Sequence, residues 1–163
     1  MTARRGVVRI QTELAVPVEP LWAHVTSFTG INDELRPLLR MTKPSRLDTG
    51  GLLDLTPPAE LGKSVLLAFG VLPVDYDDIG IVEFEPSHRF LERSRMLSAV
   101  HWEHERVLTP TERGCLLADR VEFEPRFAVT GAVLRTVVPR LFRHRHARLA
   151  RRFGRCSPPQ KPL

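Results

Sequence analysis

Five side chains that could perform acid–base or polar chemistry fall on one face of three consecutive predicted strands. They are Glu92 and Ser94 in residues 89–97, His104 and Arg106 in residues 100–109, and Asp119 in residues 114–124. Side chains alternate between the two faces of a strand, so each of the five shares its face with apolar residues. Burying such groups costs several kcal/mol unless they pair with one another, with water or with a ligand. This face therefore predicts either a self-satisfied network or the polar floor of an apolar small-molecule site.

His104 and Asp119 are the candidates for chemistry within this group. A carboxylate that orients an imidazole would make them an acid–base pair. The alternative is structural, with His104 paired to Asp119 and Glu92 paired to Arg106. Trp102 lies on the same face, where an aromatic side chain is more often part of the core than a platform for a ligand.

The charges on the opposite face predict how the first two of these strands pair. If they form a hairpin through residues 98–100, Arg95 lies opposite Glu103 and Arg93 lies opposite Glu105. Each pair would contribute a few tenths of a kcal/mol. On the inner face, the same register pairs Glu92 with Arg106 and Ser94 with His104.

The third strand is expected to join through a four-residue turn at residues 110–113. This register sets Asp119 opposite His104. A slip of two residues would instead oppose Glu103 to Glu122, and like charges directly opposite each other are unfavourable. We therefore expect the unslipped register.

The remaining histidine pairs, the Gly50-Gly51 pair and Cys115 do not predict a metal site, a cofactor site or a nucleophile. His101 and His104 are three apart on a strand and point to opposite faces, and His144 and His146 diverge on a helix, so neither pair could chelate one ion. Gly50-Gly51 lacks the flanking lysine of a phosphate loop. Cys115 has no basic partner that would activate it, so we expect a buried structural cysteine.

The elements that must position these residues form an α+β pattern. Strand alternation is predicted for residues 7–15, 63–71, 75–85, 89–97, 100–109 and 114–124. A short helix is predicted with Pro17 and Pro20 in its opening turn. A second short helix is predicted over Asn32–Arg40, interrupted by Pro37. Residues 43–60, with three prolines and two glycines and at most a short strand at their start, predict a long loop, for which a lid or portal is one interpretation that the sequence leaves open.

A long helix is predicted over Ala128–Gly154. Its apolar residues recur at steps of three and four, namely Leu134, Val138, Leu141, Phe142, Leu149 and Phe153. Its other side is basic, with Arg140, Arg143, His144, Arg148, Arg151 and Arg155. Pro139 cannot donate to the carbonyl of Arg135, so it should kink or start the helix. The basic side is interpreted as a solvated face, with weak contact to an anionic membrane surface as the alternative.

Composition places these elements in one domain of residues 1–156, followed by a disordered tail at 157–163 that holds three prolines. Nine of the 24 Lys and Arg residues follow Phe127, where no Asp or Glu occurs, so the body carries −4 and the end +9. Two cysteines are too few for a disulfide framework, and no signal core or membrane-length apolar run is present. We therefore expect a soluble, cytoplasmic protein that does not bind nucleic acid sequence-specifically.

The assembled pattern resembles the START-like (SRPBCC, helix-grip) superfamily along almost the whole chain. The stretches that carry the resemblance are IQTELAVPVEPLWAHV (Ile10–Val25), HWEHERVLTPTERGCLLADRVEFEP (His101–Pro125) and LFRHRHARLARRFG (Leu141–Gly154). The second stretch is similar to the ligand-binding and polyketide cyclase/dehydrase branches. The resemblance implies a curved antiparallel sheet of six or seven strands that wraps around the last helix and encloses a hydrophobic cavity.

The resemblance further implies binding, or transport, of a hydrophobic or amphipathic small molecule such as a lipid or polyketide. The expected cavity lining comprises Glu92, Ser94, Trp102, His104, Arg106 and Asp119 from the strands and Phe142 and His146 from the helix. The 43–60 loop would lie at its mouth. The alternative is a cyclase, aromatase or dehydratase that uses His104 and Asp119. The sequence leaves catalysis undecided, and we favour the binding role.

Overall fold

A seven-stranded antiparallel sheet and three helices make up the computed structural model, which describes residues 5–47 and 56–156. In chain order the elements are β1 (Gly6–Leu14), α1 (Val18–Val25), α2 (Phe28–Leu35), β2 (Leu39–Met41), β3 (Ala59–Ala68), β4 (Leu72–Glu85), β5 (Arg89–Met96), β6 (Ala99–Thr111), β7 (Gly114–Pro125) and α3 (Ala128–Phe153). The sheet order is β1-β7-β6-β5-β4-β3-β2. The predicted α+β architecture, with two short helices after the first strand and a long last helix, is confirmed.

The long helix α3 packs its apolar stripe against the sheet. Leu134, Val138, Phe142 and Leu149 are buried, which is the three-and-four spacing of one helix face. The helix runs through Pro139 without a break, so of the two predicted effects of this proline, a kink or a helix start, the start does not occur. Its end is tied to β1, because the Ala15 amide donates to the carbonyl oxygen of Gly154 at 3.1 Å.

The second helix differs most from its predicted position. It spans Phe28–Leu35 rather than residues 32–40, and Ser27 caps it by accepting a hydrogen bond from the Gly30 amide at 2.9 Å. Arg36 is extended, as expected for a residue before a proline, so the helix ends before Pro37. The chain then enters the short strand β2, which pairs with β3.

The β5–β6 register is two residues away from the predicted one. Arg93 lies opposite Glu103, and Glu92 lies opposite His104. The outer charges still pair, because Arg93 donates to Glu103 at 2.8 Å and Arg89 donates to Glu105 at 2.6 Å. A shift of two residues keeps every side chain on its face, so the predicted inner face survives the error.

The β6–β7 register differs by two residues from the predicted one, and it is the register that the surface charges disfavour. The turn has two residues rather than four, so Arg106 lies opposite Asp119 and Glu103 lies opposite Glu122. Arg120 relieves the like-charge contact by donating to both Glu103 and Glu122. The prediction that Asp119 lies opposite His104 is therefore wrong, although their side chains still meet.

Part of the predicted 43–60 loop is described. Pro44 and Leu47 contact the interior, and β3 begins at Ala59, four residues before the predicted strand. Residues 48–55 and the predicted tail at 157–163 lie outside the described residues.

Candidate functional site

A cavity of about 720 Å³ lies between α3 and the inner face of the sheet. Most of its wall is aliphatic and aromatic, contributed by α2, β3, β4 and α3; examples are Phe28, Ile31, Leu66, Ile79, Leu134 and Val138. Its volume lies within the range of small-molecule sites in proteins.

Exposed apolar side chains mark the mouth of the cavity. Phe69 and Val74, around the β3–β4 turn, and Val129, Val133 and Val137, in the first half of α3, line the cavity and are at the same time exposed. Phe69 is 73% exposed and Val129 is 71% exposed. Large apolar side chains grouped on a surface commonly mark an interaction or entry site.

The predicted site residues divide into two groups. Glu92, Trp102, His104 and Phe142 line the cavity. Among the described residues that form its wall, Ser94, Arg106, Asp119 and His146 do not appear. These four are buried behind the wall or between its members.

Arg106 is the centre of the polar group. Its guanidinium is completely buried between two carboxylates. Nε and Nη2 each donate to Asp119 at 2.7 Å, while Nη1 and Nη2 donate to Glu34 at 3.0 and 3.1 Å. The planar fork of arginine suits such two-sided pairing.

Each carboxylate has further partners on α3. Glu34 accepts a second charged bond from Arg145 Nε at 2.9 Å. Asp119 accepts from His146 Nε2 at 2.9 Å, and the hydroxyl of Thr12 lies 2.9 Å from the other ring nitrogen of His146. The network thus joins β1, β6, β7, α2 and α3.

The positive charges of the arginines lower the pKa values of the two buried acids more than burial raises them. Burial alone raises the pKa of Asp119, but the charge and hydrogen bonds of Arg106 hold that pKa well below its usual range. Burial likewise opposes ionisation of Glu34, yet Arg106 and Arg145 lower its pKa. Both acids are therefore ionised at neutral pH, and their charges are compensated.

His104 connects this network to the cavity. Its Nε2 donates to Asp119 Oδ1 at 3.0 Å, and its Nδ1 lies 3.7 Å from Glu92 Oε2, beyond hydrogen-bond distance. The rings of Phe90 and Phe142 meet the imidazole edge-on at centroid distances of 5.4 and 5.1 Å. The imidazole is held in place, with one nitrogen engaged and the other directed away from Asp119.

One end of the cavity is acidic. Asp75, Asp77 and Glu92 line it together with Ser98. Asp77 Oδ1 and Ser98 Oγ are buried and have no hydrogen-bond partner in the described part of the chain. Burial, the nearby charge of Glu92 and the charges of Asp75 and Asp78 raise the pKa of Asp77 well above its usual value, against a smaller opposing effect of a hydrogen bond with Ser94.

Sequence reasoning missed Glu34, Arg145, Thr12 and Asp77 as members of these groups. Signals existed for three of them, and Thr12 shares a face of its strand with Ile10 and Leu14. Arg145 is three residues from Phe142 and falls on the apolar stripe, and Asp77 alternates with Ile79 on β4. Glu34 had no usable signal, because the helix that carries it was predicted in the wrong place.

Other classes of site have no counterpart in the described residues. No group of three or more His, Cys, Asp or Glu side chains is arranged there to hold a metal ion, and no helix there is long and apolar enough to cross a membrane. Cys115 is buried, and burial raises the pKa of its thiol to about 11, which disfavours the reactive thiolate.

Comparison with protein families gives a match over most of the chain. The model described as "Domain of unknown function (DUF8410)" matches residues 12–153. The chain belongs to this family. No curated protein sequence shows significant similarity to it.

Solved structures with the same fold are numerous, although their sequences differ widely. Protein CV1439 from Chromobacterium violaceum has 17% identity and a TM-score of 0.71 over 92% of this chain and 98% of its own. A START superfamily protein from Mycobacterium smegmatis has 13% identity and a TM-score of 0.66, covering 90% and 96%. The Zhui aromatase/cyclase from Streptomyces sp. R1128 has 13% identity and a TM-score of 0.68, covering 91% and 93%. This member of the DUF8410 family has the START-like, helix-grip fold, as the sequence resemblance predicted.

The buried network makes a direct prediction about stability. Arg106→Met leaves Asp119 and Glu34 without their shared cation, so we expect the free energy of unfolding at pH 7 to fall by about 3–5 kcal/mol. Arg93→Met, which removes a half-exposed partner of Glu103, should cost less than about 1 kcal/mol. Urea unfolding followed by circular dichroism measures both.

The same comparison at pH 4.5 provides a second check. In the wild type, the lowered pKa values of Asp119 and Glu34 stabilise the fold above the unfolded pKa, and this stability is lost only as pH falls through the lower folded pKa. Without Arg106, burial favours the protonated acids, so the cost of Arg106→Met should be smaller at pH 4.5 than at pH 7. An equal cost at both pH values, or one no larger than that of the control, would contradict the role assigned to Arg106.

Proposed function

We propose that the protein binds a hydrophobic or amphipathic small molecule, such as a lipid or polyketide, in the cavity beneath α3. The observation that carries the proposal is a pocket of about 720 Å³ whose wall is mainly apolar and whose mouth is rimmed by exposed apolar side chains. Filling such a pocket removes apolar surface from water on both partners, worth roughly 25 cal/mol per Å².

The construction of the wall supports binding rather than collapse of the cavity. The charged pairs of Arg106 and Glu34 tie α2 and α3 to the strands. Since the elements around the cavity are held by these buried bonds, they cannot close over it without breaking them. A largely preformed pocket is the usual condition of a small-molecule site.

The structural neighbours are consistent with this proposal. One is an aromatase/cyclase and another is a START superfamily protein. Sequence identities of 13% support a shared fold but not a shared ligand. The proposed ligand class is therefore argued from the cavity of this protein.

Binding can be tested with N-phenyl-1-naphthylamine, an uncharged apolar dye that fluoresces when shielded from water. We expect saturable enhancement with the wild type, and at least a tenfold weaker affinity for Leu66→Trp, whose larger side chain would occupy the cavity. Val65→Trp is the matched control, because Val65 is the neighbouring residue on the exposed side of β3, and it should bind like the wild type.

Native mass spectrometry of the purified protein detects a ligand that co-purifies with it and would block the dye. Folded wild type that neither binds the dye nor carries a co-purified molecule would refute the binding proposal. Equal affinities for the two tryptophan variants would place dye binding outside the cavity.

A second candidate, a cyclase, aromatase or dehydratase acting on a polyketide-like substrate, is favoured by one observation. His104 reaches the cavity wall with Nε2 bonded to Asp119 and Nδ1 without a hydrogen bond. A histidine oriented in this way suits proton abstraction from a bound substrate. In this proposal His104 is the base and Asp119 orients it.

The enzymatic proposal predicts that His104→Ala lowers turnover of a poly-β-ketone thioester analogue by about 100-fold or more, the usual contribution of general acid–base catalysis. His101→Ala, on the opposite face of the same strand, should leave turnover unchanged. Product formation is followed by liquid chromatography, with dye binding as the check that the cavity persists. Unchanged turnover in His104→Ala would remove His104 from the chemistry.

We also propose that the mouth meets an anionic membrane surface, from which an apolar ligand could enter. Val129, Val133 and Val137, which form the helical part of the exposed apolar rim, lie on the same helix as the exposed Arg140 and Arg143. Other basic residues of the helix are engaged in the fold, since Arg148 pairs with Asp33 at 2.9 Å and His144 bonds the carbonyl oxygen of Arg36. The predicted solvated basic face is thus smaller than the sequence suggested.

Vesicle co-sedimentation tests the membrane contact. We expect weak binding to phosphatidylcholine vesicles that contain phosphatidylserine, decreasing with added salt, and reduced binding for the Arg140→Glu/Arg143→Glu double variant. Arg9→Glu/Arg95→Glu changes the charge equally at exposed positions on β1 and β5 and should bind like the wild type. Equal binding of both double variants would refute the role of this rim.

A further inference from the structure

Among the described residues, Asp77 is the one buried carboxylate of the cavity wall that has an oxygen without a hydrogen-bond partner. It is 6% exposed, it faces the cavity from the middle of β4, and its Oδ1 has no hydrogen-bond partner. A buried polar atom without a partner costs about 1–3 kcal/mol. Such an atom in a cavity wall calls for an explanation, and a missing ligand group is one.

The surroundings of Asp77 add negative charge rather than compensate it. Asp75 and Glu92 line the same part of the cavity, and the buried Ser98 Oγ there is also without a partner. Asp75 Oδ1 accepts from the amides of Leu97 and Ser98 at 2.9 and 3.3 Å. In the described part of the chain, no ion pair joins Asp75 or Asp77 to a basic side chain.

Among the described residues, the two arginines of the cavity wall both belong to α3, and both interact with groups other than Asp77. Arg145 pairs with Glu34 at 2.9 Å. Arg140 is exposed and donates to the carbonyl oxygen of Thr136 at 2.8 Å. Glu92, for its part, accepts from Ser94 at 2.9 Å and lies 3.7 Å from His104.

From this arrangement we infer that the ligand of the cavity carries a protonated amine on an apolar body, and that the amine binds at Asp77 with Glu92 beside it. The inference rests on the proposed binding function and specifies its ligand class. An ammonium group would supply the hydrogen-bond donors and the positive charge that this end of the cavity lacks. A carboxylate or phosphate head group would meet like charges there and would be rejected.

The protonation of Asp77 agrees with this reading. Burial and the neighbouring acids favour the protonated form of Asp77, which avoids two adjacent negative charges when no cation is beside it. A bound ammonium would reverse this preference by pairing with the ionised form. The destabilising acid is therefore explained as part of a binding site, where groups that lower stability are commonly kept.

Competition against bound N-phenyl-1-naphthylamine tests the inference with three ligands of one chain length: decylamine, decan-1-ol and decanoate. At pH 7.5, below the micellar concentrations of decylamine and decanoate and below the solubility limit of decan-1-ol, we expect decylamine to compete at least tenfold better than decan-1-ol, and decanoate to be the weakest. In Asp77→Asn the advantage of the amine over the alcohol should fall at least threefold. Asp78→Asn, the next residue and exposed on the other face of β4, should keep the wild-type ratio.

A thermal melt separates loss of the site from loss of the fold. Asp77→Asn keeps the shape of the side chain and removes a buried acid, so its melting temperature should equal or exceed that of the wild type. Equal competition by amine and alcohol in dye-binding wild type would overturn the inference, as would an amine preference unchanged in Asp77→Asn. Absence of dye binding in wild type is a different result, because it refutes the cavity-binding proposal itself.

Discussion

The structure depends on one buried guanidinium that serves two carboxylates. Arg106 holds Asp119 of β7 and Glu34 of α2 within 2.7–3.1 Å. An ion pair taken out of water is favourable only when its geometry is good and every remaining donor and acceptor is satisfied. The rotation of α3, the position of α2 and the β6–β7 register must therefore be correct together, since Arg145 and His146 complete the bonds of the same two acids.

This constraint explains why the β6–β7 register differs from the one that surface charges favoured. Counted along the antiparallel pair, that register would place Arg106 opposite Leu117 rather than Asp119. The surface pairs at stake contribute only a few tenths of a kcal/mol each, whereas an uncompensated buried charge costs several. The like-charge contact of Glu103 and Glu122 is tolerated because Arg120 donates to both.

The fold and the faces of the strands could therefore be predicted from the sequence more accurately than the side-chain contacts within the site. Strand alternation has a period of two, and both register errors were slips of two residues, so His104, Arg106 and Asp119 were predicted on the correct inner face. Alternation cannot distinguish such slips from the true register. Glu34 was beyond reach for another reason: local propensity placed α2 across Pro37, and the true boundaries depend on the Ser27 cap and on packing with α3.

The placement of the polar residues separates structure from candidate function. The residues around Arg106 were expected as the polar floor of the cavity, yet most of them bond one another behind its wall, where they need no ligand. Asp77 and Ser98 drew no attention in the sequence, yet their buried oxygens lack partners and belong to the cavity. A satisfied polar group is explained by the fold that satisfies it, whereas an unsatisfied one in a cavity wall calls for a further explanation, of which a bound ligand group is one. By this criterion the proposed recognition of a polar ligand group is assigned to the acidic end of the cavity. His104 and Arg145 both line the cavity and bond an acid of the network, so they join the two.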